Sequence, residues 1–234
     1  GKPPIPMRWT RDIVRELIRD LAAAELRHLR PSGRLNGRNL PDDFLEPSSA
    51  VALDSLELFQ IATQVAVFFE LHATGLESRL LDGDGLEAWV DVVLDSRARN
   101  DEALTFHTSG TTGQPKPVRQ PLDRLAREAN HWAWLFSDRT ELAGTVPRHH
   151  IYGFIWTVLL PERLGRPFRD DRGRLPQGVF AGAAEETLLI TLPEFLQAFV
   201  RTGATPARGL CVVTSTAPAP SPGPGPGWTR ASSA

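Results

Sequence analysis

The sequence is poor in cysteine and lysine, and it lacks long apolar runs and a large charge imbalance. A single cysteine, Cys211, excludes an intrachain disulfide and a metal site built from several thiolates. No apolar stretch approaches the roughly 20 residues that span a bilayer, and no signal peptide is evident. The net charge of −2 gives no reason to expect nucleic acid or an anionic membrane as a partner. We expect a cytoplasmic globular protein.

Lysine occurs only as Lys2 and Lys116, and Lys116 ends a segment rich in glycine and hydroxyl side chains. Residues 108–116 read Thr-Ser-Gly-Thr-Thr-Gly-Gln-Pro-Lys. A phosphate-binding loop needs glycines for close backbone approach, hydroxyl donors and a cation. The residues that supply these are Thr108, Ser109, Gly110, Thr111, Thr112, Gly113 and Lys116. The spacing is not that of a Walker A loop. The alternative is a surface turn rich in glycine and threonine, but an ordinary turn does not require these nine residues in this order.

The first 96 residues have the pattern of a small helical domain. Apolar residues recur at helical spacing over residues 8–28, and an almost wholly apolar helix is predicted from about residue 54 to 71. A shorter helix follows at 86–94, and the polar residues 97–102 suit a linker.

Strand and helix patterns alternate after this linker. Strands are predicted at 103–107, 187–191 and 209–214, with a strand-to-loop passage at 145–153 and helices at 122–136 and 193–201. This alternation predicts an α/β domain at 97–217 with a mostly parallel sheet and flanking helices. Residues 218–234 are mostly Pro, Gly, Ser and Ala, which predicts a disordered tail.

The segment at 108–116 closely resembles the signature loop of adenylate-forming enzymes, which include acyl-CoA synthetases, aryl-CoA ligases and peptide-synthetase adenylation domains. Downstream, His-Ile-Tyr-Gly at residues 150–153 resembles the second core motif of the acyl- and aryl-CoA ligases. The resemblance covers roughly residues 100–217. It implies a partial adenylate-forming fold that binds ATP with Mg²⁺, activates a carboxylic acid as an acyl-adenylate, and transfers the acyl group to a thiol.

The resemblance also implies roles for single residues. The loop residues would hold the ATP phosphates, and Lys116 and His150 would be the catalytic candidates. His150, Tyr152 and Gly153 would line the acid-binding pocket, with His149 the less favoured of the two histidines. The thiol acceptor would be CoA or the phosphopantetheine of a carrier protein.

Leu-Asp-Ser-Leu-Glu at residues 53–57 resembles the phosphopantetheine attachment motif of acyl carrier proteins, with Ser55 as the modified residue. Phe69 and the helix from Leu86 fall at the intervals from this serine that carriers show. The following helix lacks the acidic surface of carriers, however. The alternative is that Ser55 simply caps a helix in an appendage of the ligase.

The family's later adenine-binding motif, its ribose-binding Asp and its C-terminal catalytic Lys have no counterpart in this sequence. We therefore expect an N-terminal part, truncated or frameshifted near Pro218, that is inactive alone. Three functions remain open: the front part of an acid–thiol ligase, a carrier or interaction module with a degenerate ligase fragment, and a nucleotide-binding regulatory protein.

Overall fold

The structure is a computed structural model that describes residues 7–30, 40–83, 85–108 and 116–215. The chain divides into two compact units: Gly1–Arg127 with Arg148–Ile151, and Glu128–Pro147 with Tyr152–Ala234. Within the described residues, no helix is both long and apolar enough to cross a membrane. The predicted tail at 218–234 lies outside the described residues.

The first unit is built from helices and one β-hairpin. Its elements are α1 (Arg11–Leu29), α2 (Ser55–Phe68), α3 (Arg79–Asp82), α4 (Gly85–Arg99), β1 (Ala103–Thr108) and β2 (Lys116–Pro121). Helix α1 begins because the Thr10 hydroxyl accepts a hydrogen bond from the Ile13 amide at 3.2 Å. Its apolar stripe packs against α2 and α4. Phe68 of α2 contacts Phe106 of β1 edge to face, with ring centroids 5.2 Å apart, so the helices and the hairpin share one core.

The predicted domain boundary at residue 96 falls inside this first unit. Residues 97–99, expected in a linker, instead complete α4. The buried Arg97 donates to the Ala103 carbonyl at 2.9 Å, and the Trp9 indole donates to Asp101 at 2.7 Å. These bonds tie the helices to the start of β1. The division into residues 1–96 and 97–217 stays a prediction.

The second unit contains a four-stranded parallel sheet in the order β4-β3-β5-β6. Its strands are β3 (Glu141–Gly144), β4 (Phe168–Asp170), β5 (Thr187–Thr191) and β6 (Cys211–Thr214). Its helices are α7 (Leu160–Leu164), α8 (Pro176–Ala181) and α9 (Pro193–Val200), while α5 (Leu122–Leu135) and α6 (Ile151–Phe154) each begin in the first unit. Phe180 and Phe199 stack at 3.7 Å in the core that α8 and α9 form against the sheet. The predicted α/β class and parallel sheet are confirmed.

Three local predictions were wrong. β1 does not join the parallel sheet but pairs with β2, which the sequence patterns did not indicate. The strand expected at the start of 145–153 lies earlier, at Glu141–Gly144. The end of that segment begins a helix, and β4 was not predicted at all.

Candidate active site

The predicted phosphate loop is the segment of chain that connects β1 to β2, and its two end residues, Thr108 and Lys116, belong to these strands. The strands are antiparallel, and their register places Thr108 directly opposite Lys116. The two ends of the glycine-rich segment are therefore held side by side, with Lys116 as the first residue of β2. The Lys116 residue is exposed. The remaining predicted phosphate ligands, Ser109, Gly110, Thr111, Thr112 and Gly113, lie outside the described residues.

The described ends of this segment fit a phosphate. Lys116 is an exposed residue, and a lysine ammonium supplies positive charge and hydrogen-bond donors to an anion. Within the part of the chain that the structure describes, no group of three or more His, Cys, Asp or Glu side chains could hold a metal ion.

The predicted catalytic histidine belongs to the first unit, at the end of a segment that α1 holds in place. Asp20 of α1 is 3% exposed and accepts a hydrogen bond from the Arg148 amide at 2.8 Å. The Arg148 guanidinium also reaches Glu16, one turn earlier on α1, at 3.4 Å. Buried carboxylates of this kind are rare unless they are hydrogen-bonded, so this contact fixes the backbone just before the two histidines.

His149 and His150 differ in their surroundings. His149 is buried, whereas His150 is exposed, and their ring centroids lie 4.1 Å apart. Although the His150 residue is exposed, partial desolvation of its imidazole lowers its pKa; the Asp20 charge opposes this shift and the Arg27 charge reinforces it. The lowered pKa favours the neutral form of His150, which has one N–H donor and one acceptor nitrogen. A neutral imidazole can bind a polar substrate group without forming an ion pair.

Tyr152 and Gly153 belong to the second unit and lie in α6. Tyr152 is half-buried, and its hydroxyl donates to the Val213 carbonyl at 3.1 Å and more weakly to the Thr191 carbonyl at 3.4 Å. Both carbonyls stand at the carboxyl ends of neighbouring parallel strands, β6 and β5. In open α/β sheets ligands bind outside the carboxyl ends of the strands, so Tyr152 anchors the motif helix at the edge where a ligand site is expected.

The helix after the motif departs from α geometry. Residues Ile155–Leu159 form a π-helical turn, in which the Leu160 amide bonds to the Ile155 carbonyl. The buried Thr157 hydroxyl donates to the Gly153 carbonyl at 2.7 Å, which supplies a donor at the point where the helical ladder is disrupted. Single π-turns inside helices are frequent at functional sites. This turn follows immediately after the predicted acid-binding residues.

Aromatic side chains surround the same turn. The rings of Trp132 and Trp156 lie 4.8 Å apart, and Phe136 and Tyr152 contact Trp156 at 5.8 Å and 6.1 Å. Such clusters bury large apolar areas in well-defined geometries. They give the Tyr152 side of the motif a rigid apolar wall, which the second unit provides by itself.

Ser55 is exposed at the start of α2, but it is not the helix cap. Asp54 is the cap, because its carboxylate accepts from the Glu57 amide at 2.8 Å and the Glu57 carboxylate accepts from the Asp54 amide at 3.0 Å. This is a complete capping box. The hypothesis that Ser55 caps the helix is therefore wrong, which leaves its hydroxyl without that structural role.

The sequence patterns did not indicate the carboxylates that support these segments. Asp20 contacts the segment before His150, and Glu70 contacts both strands of the hairpin. Neither belongs to a motif, and each meets its partners only through the fold.

Comparison with known proteins identifies a family and several similar enzymes. The family model described as AMP-binding enzyme matches residues 48–219, a range that includes Ser55 and α2. The chain is 31% identical over 211 residues to the 4-coumarate–CoA ligase of Cereibacter sphaeroides, a match that covers 81% of this chain and 50% of that protein. It is 32% identical over 207 residues to the 4-coumarate–CoA ligase of Rhodobacter capsulatus, with 83% and 53% covered.

Among solved structures, the chain is similar to ATP-bound MatB from Rhodopseudomonas palustris. The TM-score is 0.42 and the identity 15%, over 80% of this chain and 45% of that one. The chain spans about half the length of the curated relatives that it matches. The family match and the two ligases, with the motifs at 108–116 and 150–153, establish that this chain belongs to the AMP-binding, adenylate-forming enzyme family.

Proposed function

We propose that this chain forms the ATP-phosphate and carboxylate part of an acid–thiol ligase. The observation that carries the proposal is the hairpin register, which sets Thr108 opposite Lys116 at the two ends of a Gly/Thr-rich segment in an AMP-binding family member. The reaction joins a carboxylic acid to a thiol in two steps, through an acyl-adenylate. The activity is a proposal because the chain spans about half of its relatives.

The first step places negative charge on phosphate oxygens. A substrate carboxylate oxygen attacks the α-phosphorus of ATP, and the bond to pyrophosphate breaks. Lys116 and the donors of residues 108–113 would hold the departing phosphates, where fixed donors are most effective because they need no reorganisation. Mg²⁺ bound to the phosphates would neutralise further charge. In the second step the thiol attacks the acyl carbon and AMP leaves.

The motif at 150–153 would bind the acid. A neutral His150 would donate its single N–H towards the carboxylate or the forming acyl group, and Gly153 would leave room for the substrate. Tyr152 would shape the pocket through its ring, because its hydroxyl is already bonded to two strand-end carbonyls. An aryl acid of the 4-coumarate type is the first candidate, since both curated relatives carry that name. The acceptor would be CoA or a carrier-bound phosphopantetheine.

Titration of the chain with MgATP tests the nucleotide part. We expect saturable binding that Lys116→Ala weakens about tenfold or more, because a hydrogen bond to a charged group contributes about 1.5–3 kcal/mol. Lys116→Arg keeps the charge and serves as the matched control, with a smaller loss. Equal affinity in wild type and Lys116→Ala would refute the assignment of Lys116.

Acid-dependent exchange of pyrophosphate into ATP tests the activation step. Because this part is expected to be inactive alone, the assay uses a full-length ligase that contains it, in which we expect exchange with 4-coumarate and none without an acid. A full-length protein that binds MgATP with an affinity that no acid alters, and that exchanges no pyrophosphate, would instead be a nucleotide-binding regulatory protein.

A second function, as an acyl carrier, has one favourable observation. Ser55 is exposed and does not cap α2, and Leu56 and Phe59 beside it are 64% and 55% exposed. Against it, the AMP-binding match already includes this helix. Intact-mass measurement after incubation with CoA and a phosphopantetheinyl transferase decides between the two. A mass gain that Ser55→Ala abolishes would support the carrier, and an unchanged mass would remove it.

A further inference from the structure

Glu70 occupies a costly position immediately after α2. Its backbone is left-handed, with φ 52° and ψ 42°, at the place where a helix commonly ends in glycine. A side chain in this conformation is disfavoured, and such residues persist where the surroundings demand them. The side chain is also almost fully buried, at 3% exposure, although it carries a carboxylate. Both features indicate that this carboxylate has a specific task.

The partners of Glu70 are one residue from each strand of the hairpin. Its Oε1 accepts from the Thr105 hydroxyl at 3.0 Å and from the Arg119 Nε at 2.9 Å. Thr105 of β1 and Arg119 of β2 are directly opposite each other in the register. One carboxylate therefore fastens a cross-strand pair to the end of α2. Apolar contacts such as Phe68 with Phe106 hold the hairpin against the core, and the Glu70 bonds add directional contacts to one defined cross-strand pair.

The fastened pair lies close to the hairpin tip. Thr105 and Arg119 are three positions along their strands from Thr108 and Lys116, a distance of about 10 Å at the usual rise per residue. An error in the placement of this pair would be carried along two short strands to the Lys116 ammonium.

We propose that Glu70 is a positioning residue for nucleotide binding: it locks the Thr105–Arg119 pair and so sets where Thr108 and Lys116 present themselves to the ATP phosphates. This inference rests on the proposed function of the hairpin. It adds a residue outside both sequence motifs, on a helix end with no expected role in nucleotide binding.

The test compares Glu70→Gln with Glu102→Gln. Glutamine keeps the size and one acceptor oxygen of Glu70 but loses the charge. Glu102 is the matched control, because it contacts the same guanidinium at 3.4 Å from an exposed position. Arg119→Gln removes the same bond from the exposed strand side and covers the case in which Glu70→Gln fails to fold. Each variant is measured twice, by amide hydrogen exchange across the chain and by titration with MgATP.

In Glu70→Gln and Arg119→Gln we expect amide exchange in β1 and β2 to accelerate about tenfold or more, while β3 and β5 keep their protection. The MgATP dissociation constant should rise by a similar factor, and Glu102→Gln should change neither quantity. Uniform acceleration of exchange across both units would mean a general loss of stability and would overturn the proposal. If the wild-type chain binds MgATP and the two variants bind it with the same affinity, the proposal is also overturned. A wild-type chain that binds no MgATP would refute the proposed function itself, and hairpin protection would still report whether Glu70 fastens the strands.

Discussion

Tyr152→Phe separates an anchoring role of this tyrosine from a substrate-binding one. The change removes a single oxygen and keeps the ring that packs 6.1 Å from Trp156. The hydroxyl makes one bond of 3.1 Å to the Val213 carbonyl and a weaker one of 3.4 Å to the Thr191 carbonyl, so it counts as about one hydrogen bond. Such a bond contributes about 0.5–1.5 kcal/mol, and a buried carbonyl left without a donor raises the cost. We expect the unfolding free energy to fall by about 1–2 kcal/mol.

Urea unfolding followed by tryptophan fluorescence measures this loss. Thr157→Val is the comparison, because it removes a buried hydroxyl-to-carbonyl bond, at 2.7 Å, from the π-turn that follows α6. Where the whole enzyme can be assayed, Tyr152→Phe should leave the KM for the acid within about threefold, which corresponds to less than about 0.7 kcal/mol. An unchanged unfolding free energy combined with a large rise in KM would refute the anchoring role.

The same residue predicts a pH dependence. Burial raises the pKa of Tyr152 above the ordinary 10.0, and it is the only tyrosine in the chain. The unfolded chain therefore releases the phenolic proton near pH 10 while the folded chain retains it, so this contribution to stability declines as the pH rises above 10. Tyrosinate absorbance should appear only at higher pH in the folded chain, and Tyr152→Phe should remove this part of the decline. Ionisation of the folded chain at the ordinary pKa would contradict the buried, bonded hydroxyl.

Two further substitutions probe the supporting helices. Asp20→Asn keeps an acceptor for the Arg148 amide but removes a charge that raises the pKa of His150. An NMR titration of the His150 imidazole should therefore give a lower pKa in the variant than in wild type. An equal or higher pKa would exclude the electrostatic contact. Asp54→Ala should lower the unfolding free energy by about 1 kcal/mol, because Asp54 alone caps α2. Ser55→Ala should change the unfolding free energy by no more than about 0.5 kcal/mol. Equal losses in the two variants would mean that the capping box is not the stabilising feature.

Local sequence patterns predicted the helices and strands whose burial leaves a clear pattern of apolar residues. Helix α1 is buried on one face, which leaves a periodic pattern of apolar residues in its sequence. Strand β5 is buried on both faces, which leaves an unbroken apolar run. Strand β2 was missed because Lys-Pro-Val-Arg-Gln-Pro is polar and contains two prolines. It is extended only because it pairs with β1. The π-turn after Gly153 left no local signal that distinguishes it from an ordinary helix.

The candidate site was predictable to the extent that its residues are contiguous. The segment at 108–116 and the motif at 150–153 each consist of a few adjacent residues, so their resemblance to the family's motifs is visible in the sequence. Asp20 lies 128 positions from its partner Arg148, and Glu70 lies 49 positions from Arg119. An acid on an amphipathic helix reads as a solvated residue until the fold places a backbone amide or a guanidinium against it.

These distant contacts bear on what the N-terminal helices do. Within the first unit, α1 bonds to the segment before His150, and the residue after α2 bonds to both strands that lead to Lys116. An independent carrier domain would fold without such bonds, and its loss would leave the ligase motifs in place. Here each of the two motifs loses a buried carboxylate partner if the helices are removed, and leaving a buried partner unpaired is costly. We therefore infer that the helices act as a scaffold for the segments that end at Thr108, Lys116 and His150, an inference that modification of Ser55 would not by itself overturn.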